Sequence, residues 1–211
     1  MLMLRAILGF ILFIVSMAPA IAQTRPLLVL GDSLSAAYGL SPEQGWVALL
    51  EQRLQAATPP HRIVNASISG ETTAGGLARL PALLVAEKPA LVIVELGAND
   101  GLRGLPLAEI RANLTSILRA IHVANARALL LGIELPVNYG PRYRDELRLM
   151  YRDLAAEFKV PLVPFLLDGV ALDPALMQPD GLHPRAAGEL KVLENVWTVL
   201  EKVLGERAPA H

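Results

Sequence analysis

The chain of 211 residues contains no cysteine. That excludes disulfides, a thiol nucleophile and a lipid anchor on a signal-adjacent cysteine, so stability must come from the core. Net charge is nearly absent too: 19 Lys and Arg stand against 20 Asp and Glu, a formal −1. No broad basic field is available to hold nucleic acid. The four histidines form no cluster with metal-ligand spacing. Internal repeats and low-complexity linkers are also missing. Neither a metal, a cofactor nor a nucleic-acid partner is therefore expected, and the length fits one domain with a full core.

The long hydrophobic run that is present lies at the start. Arg5 is followed by Ala6-Ile7-Leu8-Gly9-Phe10-Ile11-Leu12-Phe13-Ile14-Val15, and Ala20-Ile21-Ala22 fits an A-x-A cleavage site. The competing reading is an uncleaved membrane anchor, because the run approaches spanning length. Pro19 and the Ala-rich end favour cleavage. Residues 1–22 are expected to be a signal peptide, cut after Ala22, and residues 23–211 a single exported domain, periplasmic or secreted. No stable membrane insertion is expected after cleavage, and a monomer is expected. The tail from Gly205 to His211 reads as frayed.

Beyond that segment, short apolar runs alternate with helical patterns. The runs are Leu27–Leu30, Arg62–Asn65, Leu91–Leu96, Ala128–Ile133 and Leu162–Phe165. They are continuous rather than alternating, as expected when helices cover both faces of a sheet. The prolines of the fifth place it at an edge. Ser41-Pro42-Glu43 signals a helix start, and Trp46, Leu49, Leu50 and Leu54 follow on one face. Three more helices are marked by Leu77, Leu80, Leu83 and Leu84; by Leu107, Ile110, Leu114, Ile117, Leu118 and Ile121; and by Leu147, Met150, Tyr151, Leu154 and Phe158. The last helix is expected to bury Leu190, Leu193, Trp197, Leu200 and Leu204. Such a βαβ series implies an α/β fold with a parallel, doubly wound sheet.

Ligands of such sheets bind at the carboxyl ends of the strands. Three strand ends there are small and polar: Gly31-Asp32-Ser33-Leu34, Ser69-Gly70 and Gly97-Ala98-Asn99. Ser33 would sit near the first turn of a helix, beside backbone N–H groups that can hold an anion. Its competing role is a helix N-cap.

A nucleophilic serine needs a base, and the base needs a carboxylate to fix its tautomer. His183 and Asp180 supply both, three residues apart in Asp180-Gly181-Leu182-His183-Pro184. Pro184 favours a helix start there. Taken singly, Asp180 could be an N-cap and His183 a loop histidine. His61, His122 and His211 read as surface residues. The oxyanion of an attacked ester needs donors aimed at it. Ser33 and Gly70 can offer backbone N–H groups and Asn99 a side-chain amide. Gly70 could instead be a loop glycine and Asn99 a turn former. Asp32 and Asp100 are expected to bond backbone within their own turns.

These four blocks, in this order and spacing, resemble those of the SGNH (GDSL) hydrolases. The likeness covers nearly the whole mature chain and is greatest to the periplasmic multifunctional esterases of bacteria. The resemblance implies Ser33 as nucleophile, His183 as base, Asp180 as orienting acid, and Ser33, Gly70 and Asn99 as oxyanion donors. It implies a flavodoxin-like three-layer α/β/α sandwich with strand order 2-1-3-4-5. It also implies a mobile loop from Gly101 to Pro106 over the acyl chain, with Leu102 and Leu105 as apolar contacts and Leu135, Pro136 and Tyr139 as the opposite wall. Ser35, two residues after the nucleophile, is not the glycine of an α/β-hydrolase elbow. Glu134 brings a charge to this region. The expected activity is that of a serine esterase on acyl esters and thioesters, including aryl esters and lysophospholipids. A carbohydrate acetyl esterase uses the same blocks, and a non-catalytic binding protein could keep the fold. The Asn65-Ala66-Ser67 and Asn113-Leu114-Thr115 sequons are taken as coincidental.

Overall fold

The structure is a computed structural model and describes residues 25–57 and 59–205. The expected signal peptide, its cleavage point and the tail beyond 205 lie outside the described residues. Five strands form one all-parallel sheet: β1 Leu27–Gly31, β2 Ile63–Asn65, β3 Leu91–Glu95, β4 Arg127–Leu131 and β5 Leu162–Val163, in the order β2-β1-β3-β4-β5. The flavodoxin-like order is therefore present. The three central strands are buried along almost their whole length, which explains their unbroken apolar sequence.

The helices are α1 Trp46–Gln55, α2 Thr73–Glu87, α3 Ala98–Leu102, α4 Leu107–Val123, α5 Pro141–Phe158 and α6 Ala186–Gly205. Right-handed crossovers dictate their sides. The step from β1 to β2 runs one way along the sheet, so α1 covers one face. The steps from β2 to β3, β3 to β4 and β4 to β5 run the other way, so α2, α4 and α5 cover the opposite face. The contacts agree: α2 packs on α4 and α4 on α5, while α6 joins α1.

Two local expectations are corrected. Residues after Ser33 form successive hydrogen-bonded turns rather than a helix, because Ala37 adopts a left-handed φ of 55° before a second helical turn can form. The first α-helix begins only at Trp46, after a 3₁₀ turn at Pro42–Gln44 capped by Ser41. On α6 the buried stripe is Glu189, Val192, Leu193, Val196, Leu200 and Val203. Leu190 is 56% exposed, and Trp197 and Leu204 lie at the margin. The valines and leucines give two overlapping helical stripes, and packing on α1 selects the one starting at Glu189.

Glu189 is 2% exposed and accepts the Trp46 N–H at 2.9 Å, capping α1 from 143 residues away. Burial pushes its carboxyl from 4.5 up to about 7, against the opposing hydrogen bond from Trp46. The folded state therefore holds a proton that the unfolded chain releases, and stability falls as pH rises from about 4.5 through 7. The cost reaches on the order of 3 kcal/mol. Glu189→Gln keeps the acceptor but cannot ionise. Urea unfolding at pH 5 and pH 8 should show the parent losing more stability than this variant across the interval; equal losses would exclude the linkage.

Candidate active site

β1 ends at Gly31 because the chain must pass very close to β3. A side chain there would meet Ser35 Oγ at 2.8 Å and Glu95 Oε2 at 2.9 Å. The turn that follows is tied by Ala36 N–H to Asp32 O at 3.0 Å and Leu34 N–H to the Asp32 carboxylate at 3.0 Å. It leaves Ser33 half-buried at the carboxyl end of the sheet.

His183 arrives on a short hairpin rather than at a helix start. Met177 and Pro184 form an antiparallel bridge, Gln178 N–H donates to His183 O at 2.8 Å, and Arg185 N–H donates to Leu176 O at 2.7 Å. Pro184 is thus a bridge residue, and α6 begins two positions later. The hairpin tip carries Asp180 and His183 together. Asp180 Oδ1 accepts the N–H groups of Leu182 at 2.9 Å and His183 at 3.1 Å, an Asx-type turn that points Oδ2 at the ring.

His183 Nδ1 lies 2.7 Å from Asp180 Oδ2, and His183 Nε2 lies 2.9 Å from Ser33 Oγ. Burial raises Asp180, but hydrogen bonds from Leu182 and His183 outweigh it and hold the carboxyl below its ordinary range. An ionised Asp180 favours a proton on Nδ1, which leaves Nε2 able to accept from the serine. The Tyr38 ring stacks on His183, with centroids 4.4 Å apart and planes 35° apart. Sequence patterning gave no hint of this partner, whose ring packs against one side of the imidazole.

Among the described residues no acceptor takes the backbone N–H of Ser33 or of Gly70. Gly70 has a φ of 81°, a conformation that a side chain would oppose. The Asn99 amide donates to Asp32 Oδ2 at 3.0 Å and to Glu71 O, the carbonyl next along from Gly70, at 2.9 Å. Asp100 departs from expectation. It accepts Thr73 N–H at 2.9 Å and the Thr73 hydroxyl at 2.5 Å, pinning α3 to the start of α2 rather than bonding its own turn.

An apolar cleft opens beside Ser33. Leu102, Leu135 and Pro136 line it as expected, together with Phe165, Leu167 and Leu182, which patterning did not single out. Leu105 and Tyr139 are not in the lining. Their main work is at the loop: Tyr139 Oη donates to Leu102 O at 2.9 Å, and Tyr143 Oη donates to Leu105 O at 2.7 Å. Arg103 adds a bond to Gly70 O at 3.0 Å. The segment expected to be mobile is thus held at three points. Gly101 is buried against Leu135 as a packing residue, and Gly104, at φ 67°, carries the turn. Glu134 lines the cleft, but Arg148 grips its carboxylate at 2.7 and 3.0 Å, and that bond holds its pKa below the usual range.

The remaining histidines stay apart from this site. His122 is exposed, and His61 lies just before β2 with its N–H bonded to Leu54 O at 3.3 Å. Both sequon amides are engaged internally, Asn65 with Ser35 O at 2.8 Å and Asn113 with Thr73 Oγ1 at 3.0 Å. No group of metal-ligating side chains occurs among the described residues.

Residues 29–190 match the model of the GDSL-like Lipase/Acylhydrolase family. The Esterase TesA of Pseudomonas aeruginosa is 52% identical over 203 residues, covering 95% of this chain and all of that one. The Thioesterase 1/protease 1/lysophospholipase L1 of Escherichia coli is 49% identical over 173 residues, 82% of each chain. A crystal structure of TesA superposes with a TM-score of 0.82 at 54% identity, covering 84% of this chain and 99% of that one. The chain belongs to the GDSL-like lipase/acylhydrolase family and is an SGNH hydrolase of the esterase and thioesterase type.

Proposed function

We propose that Ser33, His183 and Asp180 carry out hydrolysis of small acyl esters and thioesters, aryl esters and lysophospholipids among them, through an acyl-enzyme. The observation that carries this reading is the unbroken chain from Ser33 Oγ through His183 to Asp180, at 2.9 and 2.7 Å. His183 Nε2 takes the hydroxyl proton as Ser33 Oγ bonds to the acyl carbon. The carbonyl oxygen becomes an anion facing the N–H groups of Ser33 and Gly70 and the amide of Asn99. His183 then gives its proton to the leaving oxygen or sulfur. Water repeats the cycle on the acyl-Ser33 ester, and His183 again acts as base, then as acid.

The resting amide of Asn99 is saturated by Asp32 and Glu71 O. A full negative charge is a better acceptor than a neutral carbonyl, so the Glu71 bond is the one shared or released as the oxyanion forms. The apolar lining of the cleft supports acyl chains over sugar acetates, and the paired charge of Glu134 leaves the wall without a free ion.

No helix among the described residues is long and apolar enough to cross a membrane. The reading adds export to the periplasm or beyond, with cleavage after Ala22, and action as a monomer on a small lipid-like substrate.

The test uses the protein starting at Gln23. A fluorophosphonate probe should label Ser33, and hydrolysis of p-nitrophenyl and thioester substrates should extend from acetyl to longer chains. Absence of labelling would refute the nucleophile. Turnover confined to acetyl groups would make the chain a carbohydrate-type deacetylase instead.

A further inference from the structure

The nucleophile turn rests on a buried acidic pair that the hydrolytic cycle does not use. Glu95 ends β3 opposite Gly31 and is fully buried. Its Oε2 accepts the Asp32 N–H at 3.2 Å and the Ser35 hydroxyl at 2.8 Å. Its Oε1 is buried and receives no donor from any described residue. The Asp32 carboxyl is also buried, beside the Glu95 carboxyl that its own backbone N–H meets. Two carboxylates are both acceptors, so a bond between them needs one proton.

Hydrogen bonding decides where that proton rests. Both Asp32 oxygens already receive N–H donors, Leu34 on Oδ1 at 3.0 Å and Asn99 on Oδ2 at 3.0 Å. Those bonds favour a negative Asp32. Glu95, with one oxygen left bare in the interior, is far cheaper to bury neutral than charged. No lysine or arginine among the described residues bonds either carboxyl. The other groups acting on the pair are His183, whose charge would favour ionised Asp32, and the buried hydroxyl of Tyr151, which is itself bonded to Leu96 O. Asp100 also faces Tyr151 but is committed to Thr73. Burial, and then the neighbouring Asp32 charge, push Glu95 well above the usual carboxyl range. Burial raises Asp32 to about 6, with the Leu34, Glu95 and Asn99 hydrogen bonds pulling it down.

We propose that Glu95 and Asp32 share a single proton held mainly by Glu95, and that neutral Glu95 acts through Asp32 as a positioning residue for the Asn99 amide. Glu95 clamps Asp32 from its backbone side and through the shared proton. Asp32, kept singly negative, holds one Asn99 N–H, so that the amide cannot flip its oxygen toward the substrate. The role in transition-state stabilisation rests on the reading of Asn99 as an oxyanion donor; the shared proton does not.

Two variants separate the parts. Glu95→Gln keeps an acceptor for Asp32 N–H and Ser35 and a donor toward Asp32, without a titratable proton. Glu95→Met has similar bulk and neither function. The infrared spectrum of the parent at pH 7 should contain the C=O stretch of a buried protonated carboxylic acid that Glu95→Gln lacks. With p-nitrophenyl butyrate, Glu95→Gln should keep kcat within about threefold, and Glu95→Met should lose about tenfold or more in kcat at unchanged KM. Absence of the band overturns the shared proton whatever the activity. A band with parental kcat in Glu95→Met overturns the positioning role. If Glu95→Met does not fold, Glu95→Gln decides: parental kcat supports the proposal, and a loss above tenfold overturns it. A Ser33→Ala variant that stayed active would sink the catalytic reading while leaving the band untouched.

Discussion

Replacing Ser33 by alanine should lower kcat for an aryl ester on the order of 10⁴-fold or more, and replacing His183 should cost about as much. The serine loses its only bonding atom, and the histidine loses the nitrogen 2.9 Å away. Each substitution breaks the same proton transfer, so the double variant should be hardly worse than either single one. Additive losses would mean that the two residues act in separate steps. Neither side chain belongs to the core: Ser33 and His183 are both half-buried at the cleft. Parental melting behaviour should accompany the loss, which separates chemistry from folding.

Asn99→Ala should be the next largest effect, about 10²–10³-fold in kcat with KM little changed. An amide that meets the oxyanion only as charge develops lowers the barrier without tightening the ground state. The substitution also strips Asp32 Oδ2 of its donor and frees Glu71 O. Some destabilisation should follow, visible in urea unfolding. Asn99→Asp should be as poor as alanine, because it sets a second carboxylate against Asp32. A rise in KM with kcat intact would place Asn99 in ground-state binding instead.

The parts of this molecule legible in the sequence share a cause. Strands buried on both faces must be unbroken apolar runs, so their order along the chain could be read directly. Small polar residues at their carboxyl ends marked the candidate site, because such residues fit where a turn, the Ser33 hydroxyl and open N–H groups crowd together. The strand order came through family likeness rather than pattern. What escaped depended on contacts between distant segments. Tyr38 reaches His183 only because the turn after Ser33 closes without becoming a helix. Phe165 and Leu167 line the cleft from residues that look like ordinary apolar chain after an edge strand. The stripe on α6 has two helical phases, and only the face of α1 chooses between them. Glu95 did leave a trace: one carboxylate in the otherwise apolar run Leu91–Leu96. A charge inside a strand buried on both sides has to be neutral or paired.

The hairpin from Leu176 to Arg185 joins Asp180 and His183 into one piece, while Ser33 stands 150 residues earlier in the chain than the histidine. In the order of synthesis Ser33 therefore precedes its imidazole partner by that interval. Removing that one hairpin would take Asp180 and His183 together and leave the Ser33 hydroxyl without a partner for its proton.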